Sequence, residues 1–417
     1  MLTRRGWGVV AATVVLAAAG RVLGVFELFV MAAGAAGLLV AGAVAVLFRT
    51  VDLDASRQLR PARVHAGGSS RVELAVGNRG RRRSPVLTVR DSVVPAPDSA
   101  GAMGGDGTPR RARFLLAPLS PGHTDIATYR LPAEARGTYD VGPLEAHAAD
   151  ALGLWSRVSV IAPAVDLTVY PAVEAVVPLP HTRGDDPTAG APRAAAIGPS
   201  GDDFYGLRAY QMGDDLRRVH WPSTARTGEL VVRQLEQPWQ GRATVLLDVR
   251  AGIHSEDTFE VGVSAAASIL LASWRAGALV RLATSDGTDS GFSAGHPHFE
   301  AVMEHLAMVV PGSEDGLAAV TAGLRRVGNV GAIAVVTTSA AQAADLEMLA
   351  GLQARFDSVT VLVVERSPGD ATAPTGAGRA GRGGATVVRV PADRNFAPAW
   401  NRAVGGSVLA PTGRGWG

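Results

Sequence analysis

The chain opens on a stretch, 6–48, that is apolar apart from Arg21 and Glu27. About 20 apolar residues cross a bilayer as one helix, so this run suits two crossings rather than one. It predicts a helix over 6–20, a tight turn over 20–24, and a second helix over 24–48. From 50 to 195 the pattern shortens and alternates. Val72, Leu74 and Val76 recur every second residue, Asn78-Arg79-Gly80 marks a turn, and 86–89 resumes. Further strands are expected at 113–116, 124–131 and 138–141, with 94–110 an exposed loop. Several short strands with regular turn signals predict a small β-sandwich-like domain. The stretch 181–196, rich in Pro, Gly and Ala, reads as a linker.

Beyond 240, apolar strands and amphipathic helices alternate. Strands are expected at 243–249, 278–284, 332–337, 359–364 and 385–390. Helices are expected at 257–275, 298–308, 314–327, 340–356 and 396–404, with a Gly- and Ala-rich loop at 368–384. Continuous apolar strands between helices predict a doubly wound α/β sheet covered on both faces, whose ligands lie beyond the carboxyl ends of its strands. The chain therefore divides into a transmembrane helical hairpin (1–49), the β-rich domain (50–195), a polar segment (196–240) and the α/β domain (241–417).

Charge adds an orientation. Arg4 and Arg5 precede the first apolar segment, and Arg49, Arg57, Arg60 and Arg63 follow the second. The positive-inside rule then keeps both flanks, and the domains after them, in the cytoplasm of a multi-pass membrane protein. A cleaved signal peptide is the competing reading, with Arg4 and Arg5 as its charged region and Ala17-Ala18-Ala19 as its cleavage site. The chain has no cysteine, which excludes disulfides and thiolate chemistry. A net charge of +2, with no basic stripe interleaved with aromatics, argues against nucleic acid as a partner.

The segment 202–236 gathers polar and aromatic residues in a chain otherwise dominated by Ala, Val and Gly. Asp214 and Arg217, like Asp215 and Arg218, are three apart and can meet on one helical face. Gly213 ends the preceding piece, Asp214 or Asp215 caps a short turn, Pro222 stops it, 223–228 is a loop and 230–235 a strand. Tyr210, Gly213, Asp214, Asp215, Arg217, His220, Trp221, Arg226, Arg233 and Glu236 are the candidate residues. One reading makes them a structural clasp, in which arginines and carboxylates pair for architecture. The other makes them a docking surface, with Trp and Arg as interface anchors. An acid–base enzyme using Asp214, Asp215 and His220 is a third, and no nucleophile elbow or phosphate-cradling glycine loop supports it.

Asp248 leaves the first strand of the α/β domain, where a divalent cation could sit. Hard cations need several oxygen ligands, and the alternate positions hold Arg250 and Gly252. Thr338 and Ser339 follow the 332–337 strand, with no acid. A guanidinium beside Asp248 can fill the charge vacancy itself, so no metal and no magnesium is expected. His296 and His298 flank Pro297 in an expected turn and lack acid neighbours.

Arg208-Ala209-Tyr210-Gln211-Met212-Gly213-Asp214-Asp215-Leu216-Arg217-Arg218-Val219-His220-Trp221, followed by Ser223, Ala225-Arg226 and 229–233, resembles the signature of the domain of unknown function 58 family. Arg136-Gly137-Thr138-Tyr139, the stretch 150–155, Tyr170-Pro171, the paired apolar helices and the Asp248 strand are similar to it as well. The resemblance implies a bacterial membrane protein with a von Willebrand factor A-like domain, associated with MoxR-type AAA+ ATPases in assembly or maturation of other proteins. In metal-binding members of that domain class, an Asp-x-Ser-x-Ser motif with a later Thr and Asp holds magnesium. This chain keeps Asp248 and departs at Arg250, Gly252 and Ser339. The expected function is a membrane-anchored, non-enzymatic protein-interaction module, with a structural scaffold as the alternative.

Overall fold

The computed structural model describes residues 1–48, 52–96, 110–180, 204–210, 219–235, 241–312, 317–326, 331–341, 343–366, 377–380 and 385–408. They form two compact units. The first comprises Met1–Glu174 with Ser255–Ser268 and Glu300–Gly312; the second comprises Ala175–His254, Ile269–Phe299 and Ser313–Gly417.

The first unit begins with helices α1 (Arg4–Leu23) and α2 (Phe26–Phe48). α1 is longer at both ends than its apolar core predicts, because its ends are set by polar chemistry. The Thr3 hydroxyl caps it by accepting from the Gly6 N–H, and Gly24 ends it in the left-handed conformation at φ +66°. A Cβ at Gly20 would stand 3.1 Å from the Phe29 ring, so a residue without one lets the helices approach closely. Both helices are long and apolar enough to cross a membrane.

Among the described residues nine strands follow: β1 (Leu53–Arg60), β2 (Arg63–His65), β3 (Ser69–Asn78), β4 (Leu87–Pro95), β5 (Arg110–Leu116), β6 (Thr124–Pro132), β7 (Gly137–Ala149), β8 (Ser156–Ala162) and β9 (Val165–Tyr170). One sheet runs β1-β3-β6 and the other β2-β9-β7-β4-β5, with β8 on β7. Val72, Leu74 and Val76 enter the core with Leu87, Val89, Val141, Leu144 and Leu167. β1 escapes a pattern reading because Arg57 shares the inward parity of Leu53, Ala55 and Leu59. Its guanidinium is buried against Asp91 (Nε–Oδ2 3.2 Å, Nη2–Oδ1 2.5 Å), and the Tyr129 hydroxyl donates to the same carboxylate at 2.8 Å. Burial pushes the Asp91 carboxyl up, while Tyr129 and Arg57 pull it down. β7 runs well past the expected 138–141, because its pairing with β4 continues through the polar Glu145 and His147.

The second unit contains β10 (Phe204–Ala209), α3 (Trp221–Thr227) and β11 (Val231–Leu235), in which β10 and β11 pair antiparallel. β12 (Arg242–Leu247), α4 (Glu256–Arg275), β13 (Leu279–Thr284), α5 (His296–Met308), α6 (Leu317–Arg326), β14 (Ala332–Thr338), α7 (Ala343–Ala350), β15 (Ser358–Glu365), β16 (Ala377–Ala380), β17 (Ala385–Pro391) and α8 (Ala397–Val408) follow; α4 and α5 are divided between the units. The six-stranded sheet has the order β13-β12-β14-β15-β17-β16, parallel except for β16. β12, β13, β14 and β15 are buried almost throughout, which is why their sequences read as largely apolar runs.

Three local expectations are corrected. Pro222 starts a helix instead of ending a turn: α3 spans 221–227, where a loop was expected from 223, because proline's fixed φ suits the first helical turn. Pro297 does the same for α5, so His296 and His298 sit in a helical first turn. The helix expected over 340–356 is α7 followed by a 3-10 turn, Gly351–Ala354. The expected linker 181–196 and most of 368–384 lie outside the described residues.

Candidate functional site

β13 lies on one side of β12 and β14 on the other, so the strand order reverses beside β12. In open α/β sheets this reversal leaves a crevice at the carboxyl ends of the strands, the usual place for a ligand. The residues that close β12 and β14 define the site. Asp248 follows directly on β12 and is 0% exposed. Arg250 holds its carboxylate in a fork, Nε to Oδ1 at 2.9 Å and Nη2 to Oδ2 at 2.7 Å. The Thr337 hydroxyl, from the end of β14, donates to Oδ2 at 2.9 Å. Arg250 Nη2 also reaches Asp345 Oδ2, 3.1 Å away in the first turn of α7.

A second ring of contacts fixes this arrangement. His254 Nε2 lies 2.7 Å from the Asp248 carbonyl oxygen, the Ser285 hydroxyl accepts from the Val249 N–H at 2.9 Å, and the Thr338 hydroxyl donates to the Ile253 carbonyl at 3.0 Å. The hydrogen bonds it donates to Asp248 hold the Arg250 guanidinium above its ordinary range, against the opposing effect of burial. Burial, in turn, pushes the His254 imidazole below its ordinary value.

This donor set suits a guanidinium and does not fit a hard divalent cation. Both Asp248 oxygens are engaged by protein donors, and the backbone turn after it offers Arg250 and Gly252 where oxygen ligands would be needed. The guanidinium that the sequence offered beside Asp248 is that of Arg250, in contact with both carboxylate oxygens. Asp345 was missed. The acid absent from the residues just after β14 comes from the next helix, and an Asp in a helical first turn was the available signal.

The polar segment forms a second, separate arrangement. The Tyr210 N–H donates to the Leu230 carbonyl at 2.8 Å, and the His220 N–H to the Val231 carbonyl at 2.7 Å, which tie both flanks of the segment to the start of β11. His220 Nδ1 lies 2.8 Å from the Ser223 hydroxyl, and the Thr224 hydroxyl accepts from the Val231 N–H at 3.1 Å. Val219 and Val232 are buried and bridge antiparallel. On this tied base Trp221, the first residue of α3, is 66% exposed, and Arg226 in the last turn is exposed too. Arg233 lies in β11 opposite Leu207. Gly213, Asp214, Asp215, Arg217 and Glu236 lie outside the described residues.

Residues 206–376 match the family described as "Protein of unknown function DUF58". The chain is 25% identical over 273 residues to the uncharacterized protein YeaD of Bacillus subtilis (strain 168), covering 63% of this chain. It spans about 64% of the length of that curated relative. Among solved structures, a CARDB domain from Pyrococcus furiosus is 18% identical and covers 29% of this chain and 96% of its own, with a TM-score of 0.21. The putative ApaA protein of Bordetella pertussis is 15% identical and covers 29% of this chain and 94% of its own, with a TM-score of 0.20. Likenesses this slight carry no argument about this chain.

Proposed function

We propose that this chain is a membrane-anchored, non-enzymatic docking module of the domain of unknown function 58 family, and that its partner is a MoxR-type AAA+ ATPase at the cytoplasmic face. The carrying observation is Trp221. A tryptophan 66% exposed at the head of a helix pinned to β11 is an anchor presented at little entropic cost. Arg226 on the same helix adds a guanidinium of the kind enriched at interface centres.

Two further observations support the reading. In the α/β unit, which we take as a von Willebrand factor A-like domain, the crevice where a ligand would be expected is filled by Arg250, bound to Asp248 and Asp345. Docking would therefore proceed without magnesium. The apolar helices α1 and α2 supply the anchor. The basic residues on their outer flanks favour a cytoplasmic location for the domains beyond them.

The experiment is a capture of the detergent-solubilised full chain on a support, with bound proteins identified by mass spectrometry, for the wild type and for Trp221→Ala. A MoxR-type ATPase retained by the wild type, and also after the chain has been stripped with a chelator and desalted, supports the reading. Retention that is equal on Trp221→Ala removes Trp221 from it. Absence of any such ATPase in every condition overturns it.

A further inference from the structure

The stretch 150–155, Asp150-Ala151-Leu152-Gly153-Leu154-Trp155, has no part in the docking reading, yet hydrogen bonds tie it to both apolar helices. The Thr3 hydroxyl caps α1 and donates to the Gly153 carbonyl at 2.6 Å, and the Thr3 N–H donates to the Leu154 carbonyl at 2.9 Å. The Trp155 indole donates to the Leu39 carbonyl of α2 at 2.8 Å. Two glycines make room. A Cβ at Gly6 would fall 2.3 Å from the Leu154 oxygen, and one at Gly42 would fall 3.0 Å from the Trp155 ring. Asp150 holds the turn closed by accepting from the Trp155 N–H at 2.6 Å and the Leu152 N–H at 3.2 Å.

The turn thus joins the amino end of α1, where Arg4 and Arg5 stand, to the later part of α2. That is the open end of the hairpin, opposite the Gly24 bend. At this level the turn leaves Leu152 52% exposed. The neighbouring strand level is fixed by pairing: Ala148 in β7 is opposite Leu87, the first residue of β4. Val86, just before it, is 58% exposed.

The loop leading to Val86 reads Arg79-Gly80-Arg81-Arg82-Arg83, and its four arginines are all exposed. The loop is built, not trailing. Asn78 Nδ2 donates to the Arg82 carbonyl at 2.9 Å, Asn78 Oδ1 accepts from the Gly80 N–H at 2.9 Å, and the Arg79 N–H donates to the Asp52 carbonyl at 2.9 Å. Asp52 is four residues beyond the end of α2, a reach of at most about 14 Å. Arg79 pairs with Asp54; Arg81, Arg82 and Arg83 have no acidic partner among the described residues.

We infer that this end of the sandwich is seated on an anionic phospholipid surface, with Arg81, Arg82 and Arg83 facing the headgroups and Leu152 and Val86 entering the interface. The inference rests on the reading of α1 and α2 as membrane spans. Continuity with the hairpin places the surface, and the uncompensated positive charge selects the lipid. Each arginine near an anionic leaflet shifts the equilibrium toward the surface about fivefold, and three do so roughly a hundredfold. The attraction fades beyond a Debye length of about 10 Å at moderate salt.

The test uses the full chain in nanodiscs of phosphatidylcholine alone or with phosphatidylglycerol. Because the chain has no cysteine, Val86→Cys takes a single fluorophore, and headgroup spin labels report its proximity by quenching. Ser69→Cys, at the far end of β3 from Asn78, is the reference. Quenching at position 86 is expected to rise with phosphatidylglycerol and to fall in high salt and in Arg81→Gln/Arg82→Gln/Arg83→Gln, while position 69 stays unquenched. Discs that retain the chain but quench position 86 equally with and without anionic lipid, or equally in the triple variant, overturn the inference alone. A chain that does not co-purify with the discs overturns the membrane reading and the inference together.

Discussion

Arg250→Ala removes the cation from the crevice beside β12 and leaves two carboxylates behind. Asp248 is wholly buried and, among the described residues, would keep only the Thr337 hydroxyl as a side-chain donor; Asp345 would lose its contact with the guanidinium. Breaking a buried pair by deleting one partner costs about 3–5 kcal/mol, mostly from the charge left unpaired. For a unit of this size each kcal/mol lowers the melting temperature by roughly 2–4 °C, so the expected fall is about 6–20 °C. Differential scanning calorimetry of the solubilised full chain reads it directly. Asp248→Asn/Arg250→Met removes both charges and is expected to recover most of the loss, because an apolar replacement of a whole buried pair is often close to neutral. A fall of less than about 1 kcal/mol in Arg250→Ala would place the pair with ordinary surface salt bridges and refute the reasoning. A melting temperature of Arg250→Ala restored by magnesium would show a latent cation site that the wild-type donors do not form.

His254 gives a pH signature. Burial holds its folded pKa below the ordinary 6.5, so the unfolded chain binds more protons as the solution acidifies. Its stabilisation is fully present above about pH 6.5 and fades below it, with a slope of up to about 1.4 kcal/mol per pH unit. Denaturation curves are expected to show the wild type losing stability more steeply than His254→Gln as pH falls from about 7 to about 5; parallel curves would contradict this. Tyr129→Phe leaves the buried Asp91 with Arg57 as its side-chain partner among the described residues, and loss of a hydrogen bond to a charged group predicts about 1.5–3 kcal/mol in urea unfolding of the first unit. Gly6→Ala should favour an isolated helix by up to about 1 kcal/mol, but here its Cβ would meet the Leu154 oxygen. A lower melting temperature is expected, and a higher one would mean that the 150–155 turn does not rest on α1.

Much of this architecture is legible in the sequence where one physical rule dominates. The parallel strands are buried on both faces, so β12, β14 and β15 show as unbroken apolar runs, and β3 alternates because one face is wet. The apolar helices declare themselves by composition. Polar burial and long-range pairing stay hidden. Arg57 looks like a surface residue until Asp91 is seen to face it from another strand. Asp345 joins the Asp248 site from 95 residues beyond Arg250, and no local pattern connects them. Pro222 and Pro297 were ambiguous by nature: the missing N–H and the ring that break a helix interior are harmless in a first turn, where proline's φ is already helical. Of the candidate docking residues, the chemistry of Trp221 was legible and its exposure was not, because neighbouring Val219 is buried in the same short stretch.

The most direct measurement is the affinity of a purified MoxR-type AAA+ ATPase for the solubilised full chain, wild type and Trp221→Ala, after this chain has been chelator-treated and desalted. The account predicts that the treatment leaves the wild-type dissociation constant unchanged and that Trp221→Ala weakens it about thirtyfold or more, the scale of an interface hot spot of about 2 kcal/mol. Equal affinity of the folded variant, or binding that vanishes once this chain is stripped of metal, would contradict the claim that docking is metal-free and centred on Trp221.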